Sequence, residues 1–326
     1  MCPGCFKDSS KHYCADCRRL LFDGRKVKPI LSFDAPGPAT YGFFQENTRG
    51  LSVSGAQLKY SLFLEGDLLR LTDGTGQYIL KPIPASTQLY RANQAPANEH
   101  LTMQIAARVF NIKTAANALI NFNDGQPAYL TRRFDYFTDG IKFQLEDMAQ
   151  LSGRSEKKDG THYKYKGSYL EIAQLIQQFV VAYPPALEHF FRLVIFNYLF
   201  SNGDAHLKNF SLLQTSMGDY QLSPAYDLMS TVLHTPNESD TAIDLYPGDT
   251  EGTFFQTFGY YGLPEFQTLA NKIGINPARA TNIVQFMLSK KDSVLKLIGL
   301  SFLHEESKQL YAKAYLEKRE RLTSNL

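Results

Sequence analysis

No stretch of this 326-residue chain comes near the roughly 18–20 consecutive apolar residues that cross a bilayer. The longest approach to one, residues 193–200, is short and is interrupted by Asn197. The first residues are cysteine-rich, with no basic stretch ahead of an apolar core, so no secretory leader is expected and the chain reads as cytoplasmic. Net charge is also lacking. Thirty-four Lys and Arg against 32 Asp and Glu leave +2, which gives no global electrostatic case for nucleic acid or a membrane surface. There is no internal repeat and no low-complexity tract. The pattern G-x-x-x-x-G-K-[ST] does not occur, which excludes a P-loop nucleotidase. What remains is an ordinary globular composition, 44% apolar and 20% charged, on a chain long enough for two lobes around a cleft.

Cysteine is absent after residue 17. All four copies fall in two C-x-x-C pairs, Cys2–Cys5 and Cys14–Cys17. Two such pairs across a short loop have the spacing of a tetrahedral thiolate zinc site. Pro3 and Gly4 suit the tight turn that points both sulfurs at one ion. A redox C-x-x-C usually stands alone at the start of a helix after a strand, which is not the pattern here. With four protein ligands the Zn2+ would be structural. The module, residues 1–24, is expected to be peripheral, a docking knob whose loss of metal spares nucleotide binding.

Residues 25–50 are rich in Pro, Gly and aromatics and read as linker, with one strand near 28–33. Alternation then predicts strands at 58–64, 68–71 and 78–81, with a hairpin turn at 73–76 and prolines at 82 and 84 as the stop. Leu101, Ile105 and Val109 give a helical stripe over 97–110, followed by strands at 118–122 and 127–134 around an Asn-Asp-Gly turn. Beyond residue 147 the chain turns helical: 169–182, 187–200, and several pieces from 264 to a charged final helix at 305–323. The expectation is an α+β, two-lobed, protein-kinase-like fold. It has a cysteine module at 1–24, a β-rich N-lobe at 25–145 and an all-α C-lobe at 146–326. A cleft between two such lobes is the natural ligand site. The basic stretch Lys157, Lys158, Lys164 and Lys166 reads first as a solvated loop, and second as a patch that steers an anionic substrate or braces a phosphoserine.

The strongest chemical signal is the run Asn202-Gly203-Asp204-Ala205-His206-Leu207-Lys208-Asn209-Phe210. Asp204 and Asn209 stand five residues apart, the spacing with which a kinase catalytic loop places a base and a magnesium ligand. Phosphoryl transfer needs a base near the acceptor oxygen and a fixed metal on the phosphates, and little else. One D-x-x-x-x-N is a weak match. It sharpens because Pro224-Ala225-Tyr226-Asp227 follows a strand, the Gly218-Asp219 turn and a second strand. That is where a second metal carboxylate belongs; the plain alternative for Asp227 is a helix N-cap. Upstream, Ser52-Val53-Ser54-Gly55-Ala56-Gln57-Leu58-Lys59 offers small residues and hydroxyls for phosphate oxygens. Lys81 ends a strand, and Glu99 near the start of the next helix is its candidate partner, the alternative being a surface Lys and a solvated first-turn Glu.

Taken together, SVSGAQLK (52–59), ILKP (79–82), Asn98-Glu99, Arg133-Phe134-Asp135, Glu146-Asp147-Met148, DAHLKNF (204–210) and PAYD (224–227) resemble the HipA family of bacterial serine/threonine kinases, in order over about 51–230. The resemblance implies ATP and Mg2+ as cofactors. It implies Asp204 as catalytic residue, Asn209 and Asp227 as magnesium ligands, and Lys81 on the ATP phosphates. The loop Ser54, Gly55, Ala56, Gln57, Leu58 and Lys59 would cover them. Arg132, Arg133 and Phe134 would form the hinge beside adenine, with His206, Lys208 and Tyr226 near the nucleotide. It further implies a toxin of a type II toxin–antitoxin system, with a protein substrate, an aminoacyl-tRNA synthetase in the family's known cases. A HipB-like DNA-binding antitoxin would be its partner, and Ser52 or Ser54 a site of autophosphorylation. Beside full-length HipA, which carries a further N-terminal subdomain, the chain is expected to lack that piece. In that it is similar to the shorter HipT kinases, whose missing piece is the separate small protein HipS. The cysteine module is outside the usual pattern, and Arg132 stands where an acidic hinge residue is expected.

Three other readings use the same residues. Aminoglycoside and choline kinases share a G-D-x-x-x-x-N loop, which Gly203-Asp204 fits, but usually carry a histidine where Asn202 stands. A catalytically dead kinase-fold scaffold fits poorly with Lys81, Asp204, Asn209 and Asp227 all present. A hydrolase with a metal on Asp204 and His206 fails on ligand count.

Overall fold

The computed structural model describes residues 1–9, 11–40, 42–44, 58–73, 76–86, 88–136 and 142–323. Five strands form one antiparallel sheet: β1 (Tyr60–Glu65), β2 (Leu68–Thr72), β3 (Tyr78–Lys81), β4 (Asn117–Asn121) and β5 (Pro127–Arg132). Their order is β2-β1-β3-β5-β4. Each strand follows its predicted alternation to within two residues at its ends. The expected strand at 28–33 is only a bridge, Ile30 to Asn121, with Leu31 N–H donating to Asn121 O at 2.8 Å. The chain there runs past the β4 edge without the length to extend the sheet. Gly76 shows why a glycine precedes β3: a Cβ there would lie 2.1 Å from the Leu62 carbonyl oxygen.

Helix α1 (Ala15–Phe22) and the cysteine loop cover this sheet. Cys2, Tyr13, Cys17, Leu21 and Phe22 share one core with Tyr60, Leu62, Tyr78, Leu80, Ile120 and Leu130. Two buried phenols tie the layers: Tyr13 donates to Leu119 O and Tyr78 to Leu21 O, each at 2.7 Å. The module is therefore part of the lobe's packing, against the expectation of a peripheral knob.

Helix α2 (Ala95–Val109) packs on the sheet and against the helical lobe. Pro96 in its first turn fixes its start. Nearly every residue of it is buried, including Asn98, Glu99, His100, Thr102 and Gln104, so its polar groups must find partners inside the protein. The helical lobe holds α3 (Tyr169–Phe179), α4 (Tyr183–Leu199), α5 (Leu263–Lys272), α6 (Pro277–Leu288), α7 (Lys291–Leu300) and α8 (Glu305–Thr323). The lobe expected to be all-α also carries a small antiparallel sheet of β6 (Leu145–Asp147), β7 (Ser211–Gln214) and β8 (Tyr220–Leu222). That sheet presents the two loops that matter, one before β7 and one after β8.

Candidate active site

Helix α4 is apolar on nearly all sides and runs through the core of the helical lobe, so its C-terminal end is a fixed point. Ser201 stops it in the left-handed region, φ 50°, where glycine is usual. The following turn is clamped by Thr231, whose hydroxyl accepts from Gly203 N–H at 2.8 Å and donates to Ser201 O at 2.9 Å. Asn202 donates to Asn197 Oδ1 at 3.0 Å, and Tyr169 donates to Ala205 O at 3.0 Å. Asp204 thus sits on a loop held at both flanks. Its Oδ1 accepts from the Tyr165 phenol at 2.5 Å and lies 3.7 Å from His206 Nε2. Burial pushes His206 down to about 4, with Asp204 opposing, so the imidazole is neutral near pH 7.

Asn209 ends a 3-10 turn that closes with its N–H on His206 O, 2.9 Å. Its side-chain Oδ1 is buried and has no hydrogen-bond partner among the described residues. A buried amide oxygen left over in this way is a ready ligand for a hard cation. The second expected ligand, Asp227, follows β8 in the left-handed region, φ 59°. For a non-glycine residue that conformation carries strain and is concentrated at functional sites. It caps no helix: the next helical turn, at Thr231–Leu233, begins after Ser230. Tyr226 joins the two loops, since its phenol donates to Lys208 O at 2.8 Å and accepts from Ser211 Oγ at 2.5 Å. The residue before Asp227 is thereby bonded to the residue before Asn209. Two oxygen ligands from adjoining loops are the donor set that magnesium takes.

Across the cleft, Lys81 at the end of β3 is buried and pairs with Glu99 at 2.6 Å and with Asp227. Lys59 pairs with the other oxygen of Asp227 at 3.3 Å. Glu99 is the fifth residue of α2, past its first turn and fully inside, so the solvated alternative does not hold. Burial works against the Lys81 charge, but Asp227 and Glu99 outweigh it and keep the ammonium above its ordinary range. Burial likewise works against ionised Asp227, and Lys59 and Lys81 outweigh it and hold the carboxyl well below the usual range. Glu99 is pushed up to about 7, chiefly by burial, with Lys81 offsetting part. Two cations and two carboxyls thus balance one another at the point where nucleotide phosphates and a metal would bring their own charges.

One connection was not anticipated. The Asn98 amide donates to Ser230 O at 2.8 Å and accepts from Ser230 N–H at 3.1 Å, and it meets His234 Nε2 at 3.0 Å. This ties α2 to the segment just after Asp227, so the helix that carries Glu99 and the loop that carries Asp227 are held together. Asn98 and Ser230 are 132 residues apart, which is why composition and spacing gave no hint of it.

The hinge residues divide. Arg133 N–H donates to Gln77 O, its side chain makes a two-point pair with Asp135 at 2.9 and 2.6 Å, and the Phe134 ring stands 5.7 Å from that of Tyr226. Phe134 and Tyr226 bring an aromatic pair from the two lobes together, a suitable wall for a planar base. The Arg132 side chain instead turns to α1, with a two-point pair to Asp23 at 2.7 and 2.9 Å. Leu58 and Lys59 are described; Ser52, Ser54, Gly55, Ala56 and Gln57 lie outside the described residues.

The four cysteine sulfurs lie within 4.8 Å of one another. Cys5 and Cys14 are 3.5 Å apart at sulfur, close to the ~3.8 Å edge of a tetrahedron with zinc–sulfur bonds of about 2.3 Å. Gly4 and Cys14 both point backbone N–H groups at Cys2 Sγ, at 3.4 and 3.2 Å. A Cβ on Gly4 would lie 2.7 Å from Cys17 Sγ, so only glycine leaves room for the sulfurs to converge. Hydrogen bonds from Cys17 and Cys5, and then those backbone groups, hold the Cys2 thiol well below its usual range against its burial. Soft thiolate donors in this arrangement fit zinc, with all four positions filled by protein.

Comparison with known proteins gives a family and a fold. The family model described as HipA-like C-terminal domain matches residues 51–295, three quarters of the chain. A Haemophilus influenzae protein named "Putative kinase" is 26% identical over 324 residues, covering 94% of this chain and 91% of the relative. A Sinorhizobium fredii protein named "Putative kinase Y4dM" is 30% identical over 237 residues, 67% of this chain and 54% of its own length. Among solved structures, HipA from the Shewanella oneidensis complex of HipA, HipB and operator DNA superimposes with a TM-score of 0.62 at 21% identity, covering 84% of this chain and 65% of that one. The Helicobacter pylori proinflammatory kinase CtkA gives 0.55 at 14% identity, covering 90% of this chain and 95% of that one.

Proposed function

The chain belongs to the family of HipA-like C-terminal domains, and from that premise we propose that it is an ATP- and magnesium-dependent protein kinase acting on a serine or threonine hydroxyl. The observation that carries the reading is the buried Lys81, paired with Glu99 and Asp227, together with Asp204 and Asn209 on a loop bonded to the Asp227 segment. These are the parts a phosphoryl-transfer site requires, in one cleft.

In this reading Lys81 and Lys59 bind the phosphates of ATP, while Asn209 Oδ1 and the Asp227 carboxylate would hold magnesium, which would supply positive charge to offset that of the phosphates. Asp204 accepts the proton of the acceptor hydroxyl. The hydroxyl oxygen bonds to the γ-phosphorus, the bond from that phosphorus to the bridging oxygen breaks, and ADP leaves. Phe134 and Tyr226 together form one wall for the base. The loop serines Ser52 and Ser54 are the proposed sites of autophosphorylation. A phosphate there would bring roughly −2 charge beside the ATP phosphates and oppose their binding.

A HipB-like antitoxin is the proposed partner, on the support that the Shewanella HipA is seen in complex with HipB. The proposed substrate is a protein of the translation apparatus, an aminoacyl-tRNA synthetase, and a HipS-like small protein is a second candidate partner. No helix among the described residues is long and apolar enough to cross a membrane. The test is incubation with ATP and magnesium beside Asp204→Asn, with phosphate mapped by mass spectrometry. Phosphoserine or phosphothreonine that depends on Asp204 supports the reading; phosphate on neither protein nor added substrates counts against it.

A further inference from the structure

We infer that Tyr165 is a positioning residue for Asp204, its phenol fixing one carboxylate oxygen so that the other faces the acceptor hydroxyl; this rests on the kinase reading above.

The two oxygens of Asp204 are not equivalent. Oδ1 takes the Tyr165 hydrogen bond at 2.5 Å and is the oxygen nearest His206 Nε2, at 3.7 Å. Oδ2 has no hydrogen-bond partner among the described residues. The side chain is 47% exposed, so a substrate can reach it. An exposed carboxylate without such a donor turns about its Cβ–Cγ bond and presents neither oxygen reliably. A donor on one oxygen fixes the plane and the free lone pairs together, and that pre-orientation is what proton transfer to a positioned base requires.

The phenol is itself well placed. Tyr165 ends a 3-10 turn, Tyr163–Tyr165, with its N–H on His162 O at 3.0 Å. Its ring meets His206 edge-on at 5.1 Å, and the Lys164 ammonium lies 4.9 Å from the ring centre. Tyr163, at the other end of the turn, accepts from Lys208 Nζ at 3.4 Å, so the turn grips the catalytic loop at two points. Downstream, Ser168 bridges to Asp244 and caps α3 through Glu171 N–H at 3.2 Å. Burial, and then the bond to Asp204, raises the phenol above its ordinary range, so it remains a donor at neutral pH.

The test is Tyr165→Phe, which keeps the ring on His206 and removes the hydroxyl. Steady-state transfer, ATP titration and thermal melting are measured on wild type, Y165F, D204N and the double variant. The expected result is a kcat lower by about tenfold, the size of a lost hydrogen bond to a charged group, with KM for ATP unchanged. The double variant should be no slower than D204N alone, because the phenol acts through that carboxylate. Normalising kcat to the ATP-binding fraction keeps the comparison valid if Y165F melts lower. An unchanged kcat in Y165F with an active wild type overturns this inference alone. A raised kcat overturns it too and makes the phenol a blocker of the acceptor site. Additive losses in the double variant also contradict it. A wild type that transfers no phosphate overturns the kinase reading and this inference with it.

Discussion

Lys81 is held between two carboxyls from different parts of the chain: Glu99, 2.6 Å away on α2, and Asp227, on the segment that follows β8. Asn98, the neighbour of Glu99, bonds both backbone groups of Ser230, three residues past Asp227. The lysine that would grip the phosphates and the carboxylate that would hold metal are therefore one structural unit. Lys81→Met leaves the buried Glu99 carboxyl without its cation and Asp227 with Lys59 alone. The expected result is loss of transfer by at least about a hundredfold together with a lower melting temperature, read by phosphotransfer assay and calorimetry. A variant that melts like wild type and still transfers phosphate would contradict the assignment.

Asn98→Ala removes the clamp but no group that touches nucleotide. It strands the buried Ser230 N–H and leaves the Ser230 carbonyl with only the 3.4 Å bond from Leu233 N–H, at a cost on the order of 2 kcal/mol. The prediction is a lower melting temperature and weaker ATP binding, because the Asp227 segment loses its anchor on α2. Unchanged ATP affinity by calorimetric titration would show that the loop keeps its place without the amide.

Metal at the cysteines should matter more than a peripheral module would. Cys2 and Cys17 lie in the core that contains β1 and β3, Arg132 of β5 is paired with Asp23, and Gly4 O accepts from His100, the residue after Glu99, at 3.4 Å. Chelation is expected to lower the melting temperature of the whole chain and to weaken ATP binding. Zinc content is read in parallel by atomic emission. A chain stripped of zinc that melts and binds ATP as before would separate the module from the lobe.

Acid should destabilise the fold through its buried histidines. Burial pushes His100 and His206 each down to about 4, against 6.5 in the unfolded chain. Between those values the unfolded state binds more protons, so stability falls as pH drops from about 6.5 toward 4. Glu99 works the other way: with its folded value near 7, the folded state binds more protons between about 4.5 and 7, and its contribution falls as pH rises. Denaturant midpoints from pH 4 to 7 should therefore rise with pH, and more steeply in Glu99→Gln, which removes the opposing group. A midpoint flat over that range in both proteins would be the contrary result.

Much of this was legible in the chain because it is local. Alternation marked the strands, the Asn-Asp-Gly turn joined β4 to β5, and the order of Lys81, Asp204, Asn209 and Asp227 implied a kinase-like cleft. The near miss at 28–33 came from residues with strand character that lie beside the sheet and make a single bridge. What stayed hidden depends on long-range packing. Asp23 and Arg132 are 109 residues apart, and Tyr165 and Asp204 are 39 apart, with nothing in their spacing to join them. Two C-x-x-C pairs announce four sulfurs that can converge, but not that their surroundings are the core of the neighbouring sheet.

The most direct test of the central claim is phosphate mapping on the purified chain after incubation with ATP and magnesium, beside Asp204→Asn. The account predicts phosphate on Ser52 or Ser54 in the wild type, and ATP binding without phosphate in the variant, with transfer lower by about 10²–10⁴. Equal phosphorylation of the two proteins would remove Asp204 from its role. A wild type that fails to bind ATP at all would contradict the kinase reading itself.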